Sequence, residues 1–170
     1  KDFSEKIKTA SLVAIQHTSN LDGTSTPLKE IIKIAHEHNV RVLVDGAQSA
    51  PHKEIDLKKL DADFFTCSGH KMLGPSATGI LYGKLHLLDE IPPFLIGGET
   101  VEDSTYTNFK LAEVPHKFEA GLQNYAGIIG LGSAIDYLDK LGMKNISEHE
   151  LKLNKFLTEA LSPELNTKQI

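Results

Sequence analysis

Apolar residues in the first half of the chain come in short unbroken runs divided by polar stretches. That pattern predicts buried strands alternating with amphipathic helices. The run Leu12-Val13-Ala14-Ile15 gives way to Gln16-His17-Thr18-Ser19-Asn20 and the turn-forming Asp22-Gly23, so a strand opens into a loop. A helix follows, with Thr26 placed to cap it and Pro27 at its first position. Leu28, Ile31, Ile32 and Ala35 then fall on one face, which is expected to pack on a sheet. Arg41-Val42-Leu43-Val44 is the next strand and ends at Asp45-Gly46. Phe64-Phe65-Thr66 comes after a weakly helical stretch over 55–60. Strand, helix and strand at this spacing predict a parallel crossover. A further strand is expected over 78–82, bounded by Gly79 and Gly83.

Beyond residue 90 the pattern loosens. The prolines, the Gly97-Gly98 pair and the scattered polar residues of 91–117 follow neither period, so this region reads as long loop. A helix rich in small and apolar residues is expected over 124–141, stopped by Gly142. Ser147 and Glu150 match a capping box for a last helix through Leu161. No internal repeat or low-complexity tract is visible. The fold class is α/β, a mostly parallel sheet with flanking helices. In such sheets ligands bind beyond the carboxyl ends of the strands, which singles out Asn20, Asp45 and the residues just after Thr66.

Composition narrows the class. With 170 residues, 40% of them hydrophobic, and a net charge of −5, the chain has the make-up of one globular domain. No stretch approaches the roughly 20 apolar residues of a membrane helix, and no apolar leader opens the sequence. A cytoplasmic setting is expected. Arg41 is the only arginine and charges alternate in sign, which argues against a nucleic-acid surface. The single cysteine, Cys67, excludes an internal disulfide and completes no zinc spacing. The chain opens at Lys1 and ends in a polar helical stretch at Ile170, and reads as a fragment cut at both ends.

Asp45-Gly46-Ala47-Gln48 and Ser68-Gly69-His70-Lys71 each follow a strand, so an acid and a lysine could face each other across one pocket. Alone this is weak, because Asp-Gly after a strand is usually a plain turn and a lysine is usually a solvated surface charge. His36 and His38 are two apart on a helix, point to different faces and form no metal site; solvent is their expected environment. Cys67, at the end of a buried strand, is expected to be inert packing.

The segments Val42-Leu43-Val44-Asp45-Gly46-Ala47-Gln48-Ser49 and Phe65-Thr66-Cys67-Ser68-Gly69-His70-Lys71-Met72-Leu73-Gly74-Pro75 together resemble the cofactor-binding core of class V aminotransferase-fold enzymes. Within that group they are most similar to cysteine desulfurases and selenocysteine lyases. Lys117-Phe118-Glu119-Ala120-Gly121-Leu122-Gln123-Asn124, with Gly127-Ile128-Ile129-Gly130 behind it, matches the same family in the same order, so the resemblance covers residues 12–150. Lys117 stands where an arginine commonly does, and Leu122-Gln123 replace the commoner Thr-Pro, which marks a divergent branch.

The resemblance implies pyridoxal 5'-phosphate as cofactor, with Lys71 as the lysine forming its Schiff base. An amine does this only as the free base, which partial burial favours. Asp45 matches the carboxylate that pairs with the pyridinium nitrogen and keeps the ring an electron sink. Gln48 matches the side chain on the ring's phenolic oxygen, and Asn20 an asparagine near cofactor and substrate. Ser68 and His70 match phosphate-binding positions. Thr105 or Thr107 could answer to a threonine that reaches the phosphate of the other subunit, against surface loop as the plainer reading of either. The implied whole is the latter half of the large domain of a homodimeric enzyme. Its small domain, earlier phosphate loop and catalytic cysteine fall outside residues 1–170. The implied activity is removal of sulfur from cysteine, giving alanine and an enzyme persulfide for an acceptor protein. A selenocysteine lyase, another lyase or aminotransferase of the same fold, or an inactive folding unit are the alternatives.

Overall fold

The apolar runs form the strands expected of them. A computed structural model describes residues 2–165; the polar end at Ile170 and the opening Lys1 lie outside the described residues. In chain order the elements are α1 (Asp2–Lys6), β1 (Leu12–Gln16), α2 (Leu28–Glu37), β2 (Arg41–Asp45), α3 (Leu57–Leu60), β3 (Phe64–Ser68), β4 (Gly79–Gly83), α4 (Leu85–Glu90), β5 (Val101–Ser104), β6 (Phe109–Leu111), α5 (Tyr125–Leu141) and α6 (Met143–Leu165). One sheet runs in the order β1-β2-β3-β4. Its first three strands are parallel and β4 is antiparallel.

Register decides the faces. Val13, Val42 and Ile15, Val44, Phe65, Tyr82 pair across the strands and share one side. Against that side pack Leu28, Ile32 and Ala35 of α2, with Leu57 and Leu60 of α3 at the edge of the same cluster. Ile135 and Leu138 of α5 close a cavity of about 310 Å³ there with Phe65, Cys67 and Met72. The other side carries Leu12, Ala14, Asp45, Ser68 and Leu81 by alternation. It is covered by α4 only around Phe64 and Gly83, where Arg41 pairs with Glu90. Leu12 and Leu81 stay 49% and 62% exposed, so much of this side meets solvent.

At the amino end of the sheet, Asp63 is buried and its carboxylate accepts from the Val42 amide (2.8 Å) and Lys84 Nζ (2.9 Å) and pairs with His36 Nε2 (2.8 Å). His36 is therefore half-buried against the carboxylates of Asp61 and Asp63 rather than solvent-facing. His38, as expected, is exposed, at the C-cap of α2.

Three local expectations change. Thr26 does not cap α2; its amide still bonds the His17 carbonyl (2.9 Å), which keeps it in the extended loop, and Pro27 takes the cap position. Ser147 and Glu150 form no capping box. Gly142, at φ 82°, turns the chain so that α6 starts at Met143, and Glu150 reaches His52 instead (2.7 Å). Residues 91–117 are not all loop, since β5 and β6 form an antiparallel hairpin. Its strands are exposed on nearly every residue, so no alternation marked them. Thr105 and Thr107 lie in its turn, closed by Thr105 N–H to the Asn108 carbonyl (2.8 Å).

Candidate active site

The three parallel strands end level. Gln16 pairs with Asp45 and Asp45 with Thr66, and the ladder runs one step further through His17 N–H to Asp45 O and Gly46 N–H to Thr66 O, both 2.8 Å. Neighbouring strands lie about 4.8 Å apart, so whatever follows them gathers along one edge. Asn20 lies in the loop after β1, Asp45 is the last residue of β2 and Gln48 is in the turn behind it. Ser68 ends β3, and His70 and Lys71 lie on the 3-10 turn Gly69–Met72 that continues it. Alternation puts Asp45 and Ser68 on the same, largely uncovered side of the sheet.

The loop after β1 is a tight hairpin. Thr18 bridges Ser25, Ser19 N–H bonds Thr24 O (2.9 Å) and Gly23 N–H bonds Ser19 O (3.1 Å). The turn after β2 is helical in character, with Ser49 and Ala50 N–H both donating to Gly46 O. Asp45 caps it by accepting from Ala47 N–H (2.9 Å), which leaves the other carboxylate oxygen available. Asn20, Asp45 and His70 are exposed; Gln48, Ser68 and Lys71 are partly buried.

Several loop side chains are spent on nearby backbone, as Ser19, Asp22 and Thr105 are. Among the described residues, the side chains of Asn20, Gln48, Ser68, His70 and Lys71 make no hydrogen bond or ion pair. One edge thus offers an amine, a carboxylate, a hydroxyl, an imidazole and two amides with capacity to spare. This donor set fits a small anionic compound that also carries a donor for the carboxylate. A cation fits less well: no cluster of three metal-ligating side chains exists among the described residues.

Two neighbours escaped the sequence reading. His17 has a buried Nδ1 with no partner among the described residues, and burial, aided by the Lys53 ammonium, holds its pKa below the usual imidazole value. Lys53 reaches from the turn after β2 to Thr18 Oγ1 (3.2 Å) and to Ser25 Oγ. No spacing in the sequence marks Lys53, because its partners lie 35 and 28 positions away. Cys67 faces the cavity behind the sheet. Burial raises its pKa, partly countered by a backbone hydrogen bond at Ile80, as expected of an inert thiol.

Comparison with known proteins points to one family. The family model described as aminotransferase class-V matches residues 1–169. A probable cysteine desulfurase of Halalkalibacterium halodurans is 48% identical over 95% of this chain and 39% of its own length. The apo structure of a cysteine desulfurase from Thermococcus onnurineus superposes with a TM-score of 0.91 at 44% identity, over 95% of this chain and 41% of that one. A mutant of C-DES with glycine covalently linked to its pyridoxal phosphate cofactor gives 0.79 at 30% identity, over 89% and 41%. The chain thus spans about two fifths of the length of these relatives.

Proposed function

The chain belongs to the aminotransferase class-V family, and on that premise we propose that it is the latter half of the large domain of a cysteine desulfurase holding pyridoxal phosphate on Lys71. The observation that carries this reading is Lys71 itself. It is partly buried on the turn after β3, has no partner among the described residues, and lies one strand over from the Asp45 carboxylate.

Pyridoxal phosphate, when bound, supplies a carbonyl carbon for amines and a cationic ring that draws electron density from the substrate's alpha carbon. In this reading the Lys71 amine holds that carbon. Asp45, an acceptor-only carboxylate, takes the ring N–H and keeps the proton there. The Gln48 amide donates to the ring oxygen, and Asn20 lies beside cofactor and substrate. Ser68 and His70 donate to the phosphate. The remaining phosphate donors, the group that stacks on the ring and the small domain belong to chain outside residues 1–170.

Cys67 is a poor sulfur acceptor, at 8% exposure with a raised pKa. The thiol that takes sulfur from cysteine, leaving alanine and a persulfide, is therefore assigned to the rest of the parent. That parent is a homodimer working in the cytoplasm, and its persulfide passes to an acceptor protein. Among the described residues no helix is long and apolar enough to cross a membrane.

Adding pyridoxal phosphate to the parent protein tests this. A visible absorbance band is expected in the wild type and is lost in Lys71→Ala. A band that persists in the variant sinks the assignment. With the band in place, cysteine should yield alanine; a banded enzyme that makes none is a selenocysteine lyase or another lyase of the fold.

A further inference from the structure

We infer that Lys53 is a positioning residue: its ammonium staples the neck of the hairpin that carries Asn20 to the turn that carries Gln48. The hairpin over residues 18–25 is held at its base by the Thr18–Ser25 bridge. Lys53 Nζ donates to both hydroxyls of that bridge, Thr18 Oγ1 at 3.2 Å and Ser25 Oγ. Lys53 is itself fixed, because its amide bonds Ser49 O (2.9 Å) within the turn that begins at Gly46, and the neighbouring His52 ties the same turn to Glu150 of α6 (2.7 Å). Its aliphatic stem lies along the apolar cavity with Ala50, Ile55 and Leu57.

The choice of partners is informative. Among the described residues Lys53 forms no ion pair with a carboxylate, so its hydrogen bonds serve two neutral hydroxyls. A half-buried ammonium gains little as a surface charge there. It gains from directed donors, which a flexible salt bridge would not fix in place. The hairpin has no apolar side chain in the core cluster; what ties it to β2 and the turn behind it is the His17–Asp45 backbone bond at its root (2.8 Å) and this staple.

What the hairpin is positioned toward rests on the cofactor reading above; the staple itself does not. Two measurements on the parent protein separate them, using Lys53→Met, which keeps the stem, and Lys53→Arg, which keeps the charge and donors. Without cofactor, hydrogen exchange at the Ser19, Gly23 and Thr26 amides should speed up about tenfold in Lys53→Met and stay near wild type in Lys53→Arg. With cofactor, Lys53→Met should raise the apparent Kd for pyridoxal phosphate about threefold to tenfold without moving the band. Unchanged exchange overturns the staple. Faster exchange with an unchanged Kd overturns the positioning role. A wild type without a Lys71-dependent band sinks the cofactor reading alone, and the exchange comparison still decides for or against the staple.

Discussion

Asp63 shows how much one buried carboxylate can hold. Burial pushes its pKa up, but hydrogen bonds from Lys84, His36 and the Val42 amide outweigh that and keep it below the ordinary value of 3.8. The unfolded chain therefore takes up the proton at a higher pH than the folded one. The stabilisation is complete above the ordinary value and is lost as pH falls through the depressed one. Asp63→Asn should cost about 2 kcal/mol near neutral pH, since it leaves Lys84 and His36 without their buried acceptor. Its melting temperature should fall less steeply than the wild type's below pH 4, about where carboxylates titrate. Parallel acid melts by circular dichroism check both. The composition gave no hint of this cluster. The sequence marks Asp63 only as an acid before a strand, and its partners are 21 and 27 positions away.

Among the elements, β2 and the turn behind it combine packing with chemistry. Gly46 directly follows the Asp45 carboxylate, and a Cβ there would come within 1.9 Å of the Phe65 ring on the next strand. Phe65 is 5% exposed and belongs to the core cluster, so its ring must shift to admit a Cβ. Gly46→Ala is expected to destabilise by about 2 kcal/mol, and adding Phe65→Leu should recover part of that loss. Urea midpoints for the single and double variants test it. The glycine behind Asp45 is thus needed for close approach of β3, beyond its role as a turn former. Strand and helix identity here was readable from β-branched runs and one apolar helical face. The hairpin of β5 and β6 was not, because all its strand residues but Val101 and Leu111 are exposed and leave no period.

For the whole molecule, the unpaired apolar surface dominates. On α6, Leu151, Leu153, Phe156 and Leu157 are 67%, 53%, 71% and 55% exposed, and Leu81 and Leu12 lie open on the sheet. Exposed apolar surface of this extent favours association. The 170-residue chain by itself is expected to self-associate at micromolar concentration. Leu153→Lys with Phe156→Lys should reduce the sedimenting species while shifting stability by less than about 0.5 kcal/mol. A chain that stays monomeric at that concentration without the substitutions would contradict this.

The sequence by itself determined the parallel strands, the crossover helix and, to within one residue, the helix expected over 124–141, and it named the candidates from Asn20 to Lys71, because these depend on local period and on motifs of a few adjacent residues. It also marked Cys67 as packing, since it stands at the end of a buried strand. Only the tertiary structure decided that Asp45 and Ser68 share one open side of the sheet, that His36 is half-buried against Asp63, that Glu150 pairs with His52, and that Lys53 ties two loops together. Each of these depends on register or on contacts between residues many positions apart, and a side chain's partner across such a distance is fixed by packing, which no local pattern encodes.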